Sequence, residues 1–393
     1  MLNIDFRNIY INMFFIFLLM SLPYFFNKFF GISSLSVGVL FFSLISMIFS
    51  YKFLTRVHFI SFRFLFIILF ITLHILLTLI LKDSINEKFL ISIIGLFIFT
   101  LSAYLFSFFL FEINKLVLFK TIKYSFMGLL FLGIFHIIFI GGALNIFPFS
   151  EASHYGLFLG PFSVALYILT INKFFKFFII AHLITCSILF PSTTIFIYVC
   201  LIAILYSRFN IKSICFLLII LLVFYLIILN NEYLNERIFF LSKESSSNLS
   251  ALVYLQGIED AYYSVISTNG FGLGFQQLGM QPVSESGLII QKLLNNDIGL
   301  NRQDGGFTAV KVISELGLLG ILLVLCYLVK LKKAFNHLQN YLLYRKGDIK
   351  LIVSYSFIYT YFVELFIRGI GYFSPGNFFF LVVVFYLFIR EKN

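Results

Sequence analysis

The sequence contains no tryptophan and few charged residues. Only 11% of the 393 residues are Asp, Glu, Lys or Arg, whereas a soluble globular domain has about 25%. Hydrophobic residues make up 61% of the chain, and phenylalanine alone supplies 57 of them. One soluble core cannot bury so much apolar surface, which argues against a soluble enzyme and against a disordered chain. The composition therefore predicts a multi-pass membrane protein.

Cysteine is scarce as well, since the chain contains four. All of them lie in apolar runs and none belongs to a Cys-x-x-Cys motif, which is typical of buried thiols and not of a disulfide framework. Histidines and acidic residues show no metal-ligand spacing, so we expect no bound metal and no cofactor. The four cysteines are Cys186, Cys200, Cys215 and Cys326.

Long apolar runs dominate the remaining sequence. A membrane-spanning helix needs about 20 apolar residues, and we predict an all-α fold with about 12 such helices. The seventh and eighth runs are short and flank Pro191, which fits a tight hairpin or one broken helix. The predicted spans are 9–26, 32–50, 59–81, 89–111, 124–143, 155–171, 175–190, 192–207, 213–229, 308–329, 351–367 and 377–389.

The net charge of +11 follows the membrane topology. With the N-terminus in the cytoplasm, most of the 28 Lys and Arg residues fall in segments on the inner side, and most of the 17 acidic residues fall on the outer side. Basic residues concentrate in cytoplasmic loops of membrane proteins, and the opposite orientation would violate this rule at almost every loop. We therefore expect both termini in the cytoplasm and no binding of nucleic acid.

One connection on the outer face is much longer than the others. It covers 230–307 and is polar, and loops of this length in compact proteins usually have a function. It divides the chain into three predicted units, which are the first nine spans (1–229), this periplasmic loop subdomain, and the last three spans (308–393).

The loop subdomain has an internal helical pattern. Apolar residues recur at helical spacing over 249–268, with Ser247 or Asn248 as the N-cap, and we predict a further helix over 284–296. The segment 269–279 between them contains four glycines. Such a segment either forms a tight turn between two helices or brings backbone amides close to a ligand.

Ionisable residues gather at the outer ends of three spans. Glu151 and His154 enter the sixth span, where they cap the helix or contact a polar substrate. Lys311 and Glu315 enter the tenth span with i,i+4 spacing. They form an ion pair, or Lys311 binds an anion while a nearby acid such as Asp304 accepts a proton.

Arginines at the outer face are not required by topology. Glu364 and Arg368 have i,i+4 spacing at the end of the eleventh span, where they form a structural pair or offer a guanidinium to a headgroup. A planar guanidinium binds a diphosphate through paired hydrogen bonds. Arg237, Arg302 and Arg368 are therefore the candidates for anion binding, and each also fits an exposed surface charge.

Together these features resemble the O-antigen polymerase (Wzy) family, within the superfamily of bacterial O-antigen polymerases and ligases. The resemblance lies in the many-span plan and in three segments. These segments are EASHYGLFLGP (151–161), SALVYLQGIEDAYYSVISTNGFGLGFQQLG (250–279) and DGGFTAVKVISELGLLG (304–320).

The resemblance implies a metal-independent glycosyltransferase with a GT-C-like fold in the bacterial inner membrane. Such an enzyme transfers the growing glycan from undecaprenyl diphosphate onto a new lipid-linked repeat unit during lipopolysaccharide biosynthesis. Its partners would be this lipid-linked oligosaccharide, membrane lipid and a chain-length regulator protein. The implied proton acceptors are Asp304, Glu315 or Glu151. The implied substrate-binding residues are Arg237, Arg302, Lys311, Arg368, His154, Gln256 and Gln276.

Two other functions fit parts of the sequence. O-antigen ligases have an additional loop arginine where this chain has Ala251 and Leu252, and a histidine roughly where it has Gln303 and Asp304, so these positions favour a polymerase. A flippase or transporter of lipid-linked oligosaccharides explains the spans equally well. It explains the long outer loop poorly, and the chain shows no matched pair of broken helices.

Overall fold

The computed structural model describes eight stretches of the chain. The predicted ninth span and Arg237 lie outside them, as does the first part of the long loop. The described stretches are 6–32, 34–51, 62–81, 88–140, 146–190, 192–206, 248–296 and 300–391.

The described residues are mostly α-helical, with one π-helical turn, His136–Ile140, after the fifth helix, and no strand occurs among them. The first eight helices are α1 (Phe6–Phe30), α2 (Ser36–Ser50), α3 (Phe62–Leu81), α4 (Lys88–Glu112), α5 (Lys115–Phe135), α6 (Ala152–Leu169), α7 (Lys173–Leu189) and α8 (Thr193–Tyr206). The other six are α9 (Leu249–Ser267), α10 (Glu285–Leu294), α11 (Thr308–Leu316), α12 (Leu318–Tyr344), α13 (Ile349–Phe366) and α14 (Pro375–Arg390).

Five of the described helices, α1, α4, α5, α6 and α13, are long and apolar enough to cross a membrane. Shorter apolar helices accompany them, including α2, α8 and α14. Large apolar side chains such as Phe66, Ile91 and Phe131 are more than half exposed on the outer surface of the bundle. Lipid accepts such a surface and water does not. The chain is therefore an all-helical, multi-pass membrane protein.

Helix α6 lies in the core of the bundle. Nearly all of its residues are buried, and it packs against α5, α8 and α13. Two glycines permit the close approach of α8, because a Cβ at Gly160 would overlap the ring of Tyr198 and a Cβ at Gly156 would lie 2.7 Å from Ile195. Small residues allow membrane helices to pack in this way. The central position of α6 places its first turn at one end of the core.

The opposite end of the bundle is held by charged contacts around Asp348. This residue caps α13 and binds Arg390 Nη1 at 2.6 Å and Lys115 Nζ at 3.2 Å. Nearby, Arg345 Nη1 donates to the carbonyl of Ile168 at 2.7 Å. The ends of α6, α12 and α14 thus meet the starts of α5 and α13. We call this the Asp348 end, and the other end, where α6 begins and α13 stops, the Glu151 end.

The described part of every predicted span other than 213–229 overlaps a helix, although α5 begins nine residues earlier than predicted. The seventh and eighth predicted spans are two helices, α7 and α8, that pack against each other, as the hairpin interpretation requires. The predicted tenth span, 308–329, is wrong as a single helix because the chain breaks at Gly317. That glycine has φ +60°, and a Cβ there would collide with the carbonyl of Gly270.

Candidate functional site

The described part of the long outer connection contains α9 and α10, and α9 packs both against α10 and against α11, which follows the connection. Asn248 caps α9 as predicted, since its side chain accepts from the amides of Ser250 and Ala251. Glu259 on α9 fixes the start of α10, because its carboxylate accepts from Ser286 N at 3.0 Å and from Ser286 Oγ at 2.7 Å. Side-chain caps of this kind satisfy amides that a helix leaves unpaired.

Four residues, Asp304, Lys311, Glu315 and Tyr372, form a group that we call the lysine cluster. The Lys311 side chain is 3% exposed, and its Nζ donates to the carbonyl of Gln303 at 2.8 Å and to Asp304 Oδ1 at 3.2 Å. The same Nζ lies 5.4 Å from the centre of the Tyr372 ring. Asp304 is 55% exposed. A buried cation is thus paired with a carboxylate that solvent and substrates can reach.

Glu315 does not form the ion pair with Lys311 that its spacing suggests. It is fully buried, and its carboxylate accepts from the amides of Gln276 at 2.8 Å and Leu278 at 3.4 Å. Burial raises the pKa of Glu315 to about 7, although Lys311 and the two amides act in the opposite direction. Because these two amides belong to the glycine-rich segment, the anion that this segment binds is a carboxylate of the chain itself. Glu315 lies on α11, which has nine residues and is too short to cross a membrane.

The glycine-rich segment also fixes the end of α11. Gly272 has φ +81°, and a Cβ there would collide with the backbone at Glu315 and Gly317. Next to it, the amides of Leu273 and Gly274 donate to the last carbonyls of α11 at 2.8 and 2.9 Å. Such close contact between two backbones requires glycine. Of the two interpretations of this segment, the structure matches the tight turn between helices.

Arg302 lies in the same subdomain and is half-buried. Its Nη2 donates to the carbonyl of Gln281. Burial raises the pKa of Asp260 on α9, and hydrogen bonds from Ser284 and Gln281 together with the charge of Arg302 act against this shift. Gln256, on the same helix, is buried as well. The predicted substrate-binding residues Arg302 and Gln256 thus lie within the packing of the subdomain.

The second group, Glu151, His154, Glu364 and Arg368, forms the arginine cluster. Arg368 Nη2 lies 2.8 Å from Glu151 Oε2, with the arginine 16% and the acid 50% exposed. Burial raises the pKa of Glu151, but Arg368, His154 and a hydrogen bond from Ser153 outweigh it, so the net shift is downward. Arg368 does not pair with Glu364, because α13 ends at Phe366 and the i,i+4 geometry is lost beyond it.

His154 and Glu151 do not face the same way. His154 is 5% exposed, its Nδ1 lies 3.0 Å from Ser150 Oγ, and its ring centre lies 5.6 Å from that of Tyr24 on α1. Glu151 is half exposed and precedes the helix. The histidine therefore belongs to the core contact between α1 and α6, and the acid belongs to the surface.

Glu364 is buried in α13 at 4% exposure, and its Oε1 has no hydrogen-bond partner among the described residues. Its carboxyl group points at Gly376 at the start of α14, where a Cβ would collide with Oε2. From its i,i+4 spacing, Glu364 was expected only as a partner for Arg368. Its place inside an apolar span is the sequence feature that could have singled it out, because ionisable residues are costly in the membrane.

The linker between α13 and α14, residues 367–374, joins the two clusters. It begins with Arg368, and the amide of Gly369 then donates to the carbonyl of Gly306 at 3.1 Å. Gly371, at φ +84°, lies against the lysine cluster, since a Cβ there would be 3.1 Å from Asp304 Oδ1. Tyr372 completes the contact. Sequence spacing gave no indication of Gly371 or Tyr372, whose roles come from tertiary packing.

An apolar cavity of about 320 Å³ lies beside the lysine cluster. It is lined by α3, by the glycine-rich segment and by the start of α12, with His74, Phe271 and Leu318 among its residues. Phe271 and Leu318 are more than half exposed. Hydrocarbon fits such a cavity better than a sugar does.

Within the described residues, no group of three or more His, Cys, Asp or Glu side chains is arranged to hold a metal ion. The polar groups that come together at the Glu151 end are therefore two cations and the carboxylates around them. No family model matches the chain, and comparisons with curated proteins and with solved structures gave no match either.

Proposed function

We propose that this protein is a membrane glycosyltransferase of the O-antigen polymerase type, which transfers a growing glycan from undecaprenyl diphosphate onto a new lipid-linked repeat unit. One observation carries the proposal. At the Glu151 end a cation largely shielded from solvent is paired with a half-exposed carboxylate twice: Lys311, which is 3% exposed, pairs with Asp304, and Arg368, which is 16% exposed, pairs with Glu151. Both pairs adjoin one linker at the end of an apolar bundle.

This arrangement suits a sugar diphosphate as substrate. The departing diphosphate needs positive charge, and the attacking hydroxyl needs a proton acceptor. Lys311 and Arg368 are the proposed diphosphate-binding residues, and Asp304 or Glu151 is the proposed acceptor. Preorganised contacts of this kind lower a barrier by about 3 kcal/mol each. The apolar cavity next to the lysine cluster supports a substrate that carries a hydrocarbon chain.

Most of the other predicted site residues have positioning or structural roles in the proposal. Glu315 is a positioning residue, because its carboxylate is buried and bound by backbone amides. Arg302 and Gln256 stabilise the loop subdomain, and Gln276 contributes its backbone amide to Glu315. Arg237 lies outside the described residues and stays in the proposal as an anion-binding residue.

The topology belongs to the same proposal. We place the Asp348 end in the cytoplasm, because Lys115, Arg345 and Arg390 gather there and basic residues favour the cytoplasmic side. The Glu151 end then faces the periplasm of a bacterial inner membrane, with about 12 spans in a GT-C-like fold and both termini in the cytoplasm. A chain-length regulator is the proposed protein partner.

Deletion of the gene tests the proposal. Loss of a polymerase should leave lipid A-core capped with a single repeat unit, seen on a gel of lipopolysaccharide. Loss of a flippase would leave no repeat, and loss of a ligase would leave long chains on undecaprenyl diphosphate, so either result would contradict the proposal. Plasmid-borne wild type should restore the ladder, and Asp304→Asn should fail to do so at equal membrane expression.

A further inference from the structure

A small pocket within the bundle contains a carboxyl group of which one oxygen has no hydrogen-bond partner among the described residues. It lies between α6, α8, α13 and the start of α14, and its lining is mostly aromatic. Glu364 contributes the carboxyl group, whose Oε1 is buried and unpaired among the described residues. The Ser374 side chain lies beside it. The free space accommodates about one water molecule.

Among the described residues, no cationic side chain neutralises this carboxyl group, which lies against the start of α14. No Lys, Arg or His of the described residues forms an ion pair with Glu364. The titratable groups that face it are tyrosines, Tyr24 on α1, Tyr198 on α8 and Tyr361 on its own helix. The side chains that α6 presents to the pocket are apolar. An isolated carboxylate in such a place is costly unless a cation or a proton joins it.

The chemistry of the lining favours a proton over a metal ion. A sodium ion would need several oxygen ligands, but most of the residues that line the pocket are aromatic or aliphatic. Besides Glu364, the side-chain oxygens of the lining are the hydroxyls of Tyr198, Thr360 and Tyr361. Glu364 is left as the one carboxylate among the pocket's side chains.

We infer that Glu364 is a proton-binding site within the membrane bundle, with its unpaired oxygen and one water-sized space forming the place where the proton enters and leaves. Tyr24 interacts electrostatically with Glu364 and also with Glu151 and Arg368. The proton site is therefore the buried part of the arginine cluster. This inference goes beyond the proposed glycosyltransferase activity and does not depend on it.

Infrared difference spectroscopy of the purified protein in lipid nanodiscs tests the inference. Spectra recorded between acidic and alkaline buffer should contain a carbonyl band of a protonated carboxyl group, and this band should shift in D₂O. The Glu364→Gln variant, which keeps the size of the side chain, should lose the component of this band that belongs to Glu364, and Glu315→Gln identifies the component of the other buried glutamate. Glu285→Gln removes an exposed acid at the start of α10 and serves as the matched control.

Two results would overturn the inference. One is a Glu364→Gln spectrum identical to that of the wild type, and the other is loss of the band when sodium replaces choline at constant pH, which would make the pocket a sodium site. Glu364→Asp keeps a carboxyl group in a shorter side chain and should move the band without removing it. This variant separates loss of the proton site from a failure to fold.

Discussion

The lysine cluster and the arginine cluster contain the same kinds of charged residue, but their buried glutamates differ in their hydrogen bonds. Each has a cation largely shielded from solvent, a half-exposed carboxylate paired with it, and a buried glutamate nearby. In the lysine cluster the buried glutamate, Glu315, is held by two backbone amides. In the arginine cluster the buried glutamate, Glu364, keeps an unpaired oxygen beside a small pocket.

The difference separates two uses of a buried acid. Glu315 joins α11 to the glycine-rich segment, because each of its carboxylate oxygens accepts a backbone amide. Glu364 keeps one buried oxygen without a partner among the described residues, and burying an unsatisfied polar group costs free energy. A costly group without a structural task is the better candidate for function. Burial alone therefore does not distinguish the two glutamates, and their hydrogen bonds do.

The largest expected effect is the loss of stability when Glu315, whose carboxylate accepts two backbone amides, is replaced. Glu315→Ala leaves the amides of Gln276 and Leu278 unpaired in a buried place, so we expect a loss of about 3 kcal/mol in the free energy of unfolding. A thermal melt of the purified protein in detergent measures it. Glu315→Gln keeps one acceptor oxygen and should lose less. Equal melting temperatures for Glu315→Ala and the wild type would contradict the role of Glu315 as a structural tie.

How far the sequence could predict this site depends on the kind of contact. The helices and the Asn248 cap follow from apolar periodicity and local residue types, which act over a few positions. The two ion pairs suggested by i,i+4 spacing, Lys311–Glu315 and Glu364–Arg368, do not form in the structure. A distant segment supplies amides to Glu315, Asp304 reaches Lys311 from the preceding loop, and α13 ends before Arg368. Local spacing contains none of this information.

The next effect concerns the cation of the lysine cluster. Lys311→Met removes the charge but keeps most of the apolar length of the side chain, so we expect polymer formation to fall by about 100-fold while the fold persists. An assay with purified protein and lipid-linked repeat units measures the rate. Lys292→Met, on the exposed last turn of α10, is the matched control. Unchanged polymerisation by Lys311→Met would remove Lys311 from the proposed site.

A smaller effect is expected when the cation of the arginine cluster is changed in shape alone. Arg368→Lys keeps the charge but loses the planar fork of donors. We expect about a tenfold loss of activity, because one contact is weakened and not abolished. Arg345→Lys makes the same exchange at the Asp348 end, where Arg345 binds a backbone carbonyl, and should leave the rate unchanged. Similar losses in both variants would mean that the effect is structural.

The smallest effect is the pH dependence of stability, which should have opposite signs in the two clusters. The pKa of Glu315 is raised by burial to about 7 from 4.5. The folded state therefore binds this proton more tightly than the unfolded chain, and the resulting stability increases as the pH falls from about 7 toward 4.5. Burial raises the pKa of Glu151, but the nearby Arg368 lowers it by more, so the overall shift is downward. Its contribution is present at neutral pH and is lost as the pH falls through its folded pKa.

Melting temperatures across this pH range separate the two contributions. Relative to the wild type, Glu315→Gln should remove a stabilisation that grows on mild acidification, because the amide cannot take up the proton. Glu151→Gln should remove one that is largest at neutral pH, and this effect should be smaller because Glu151 is half exposed and solvent screens its pair with Arg368. If both variants changed the pH profile in the same direction, the contrast between a buried acid held by amides and a surface acid held by a guanidinium would be wrong.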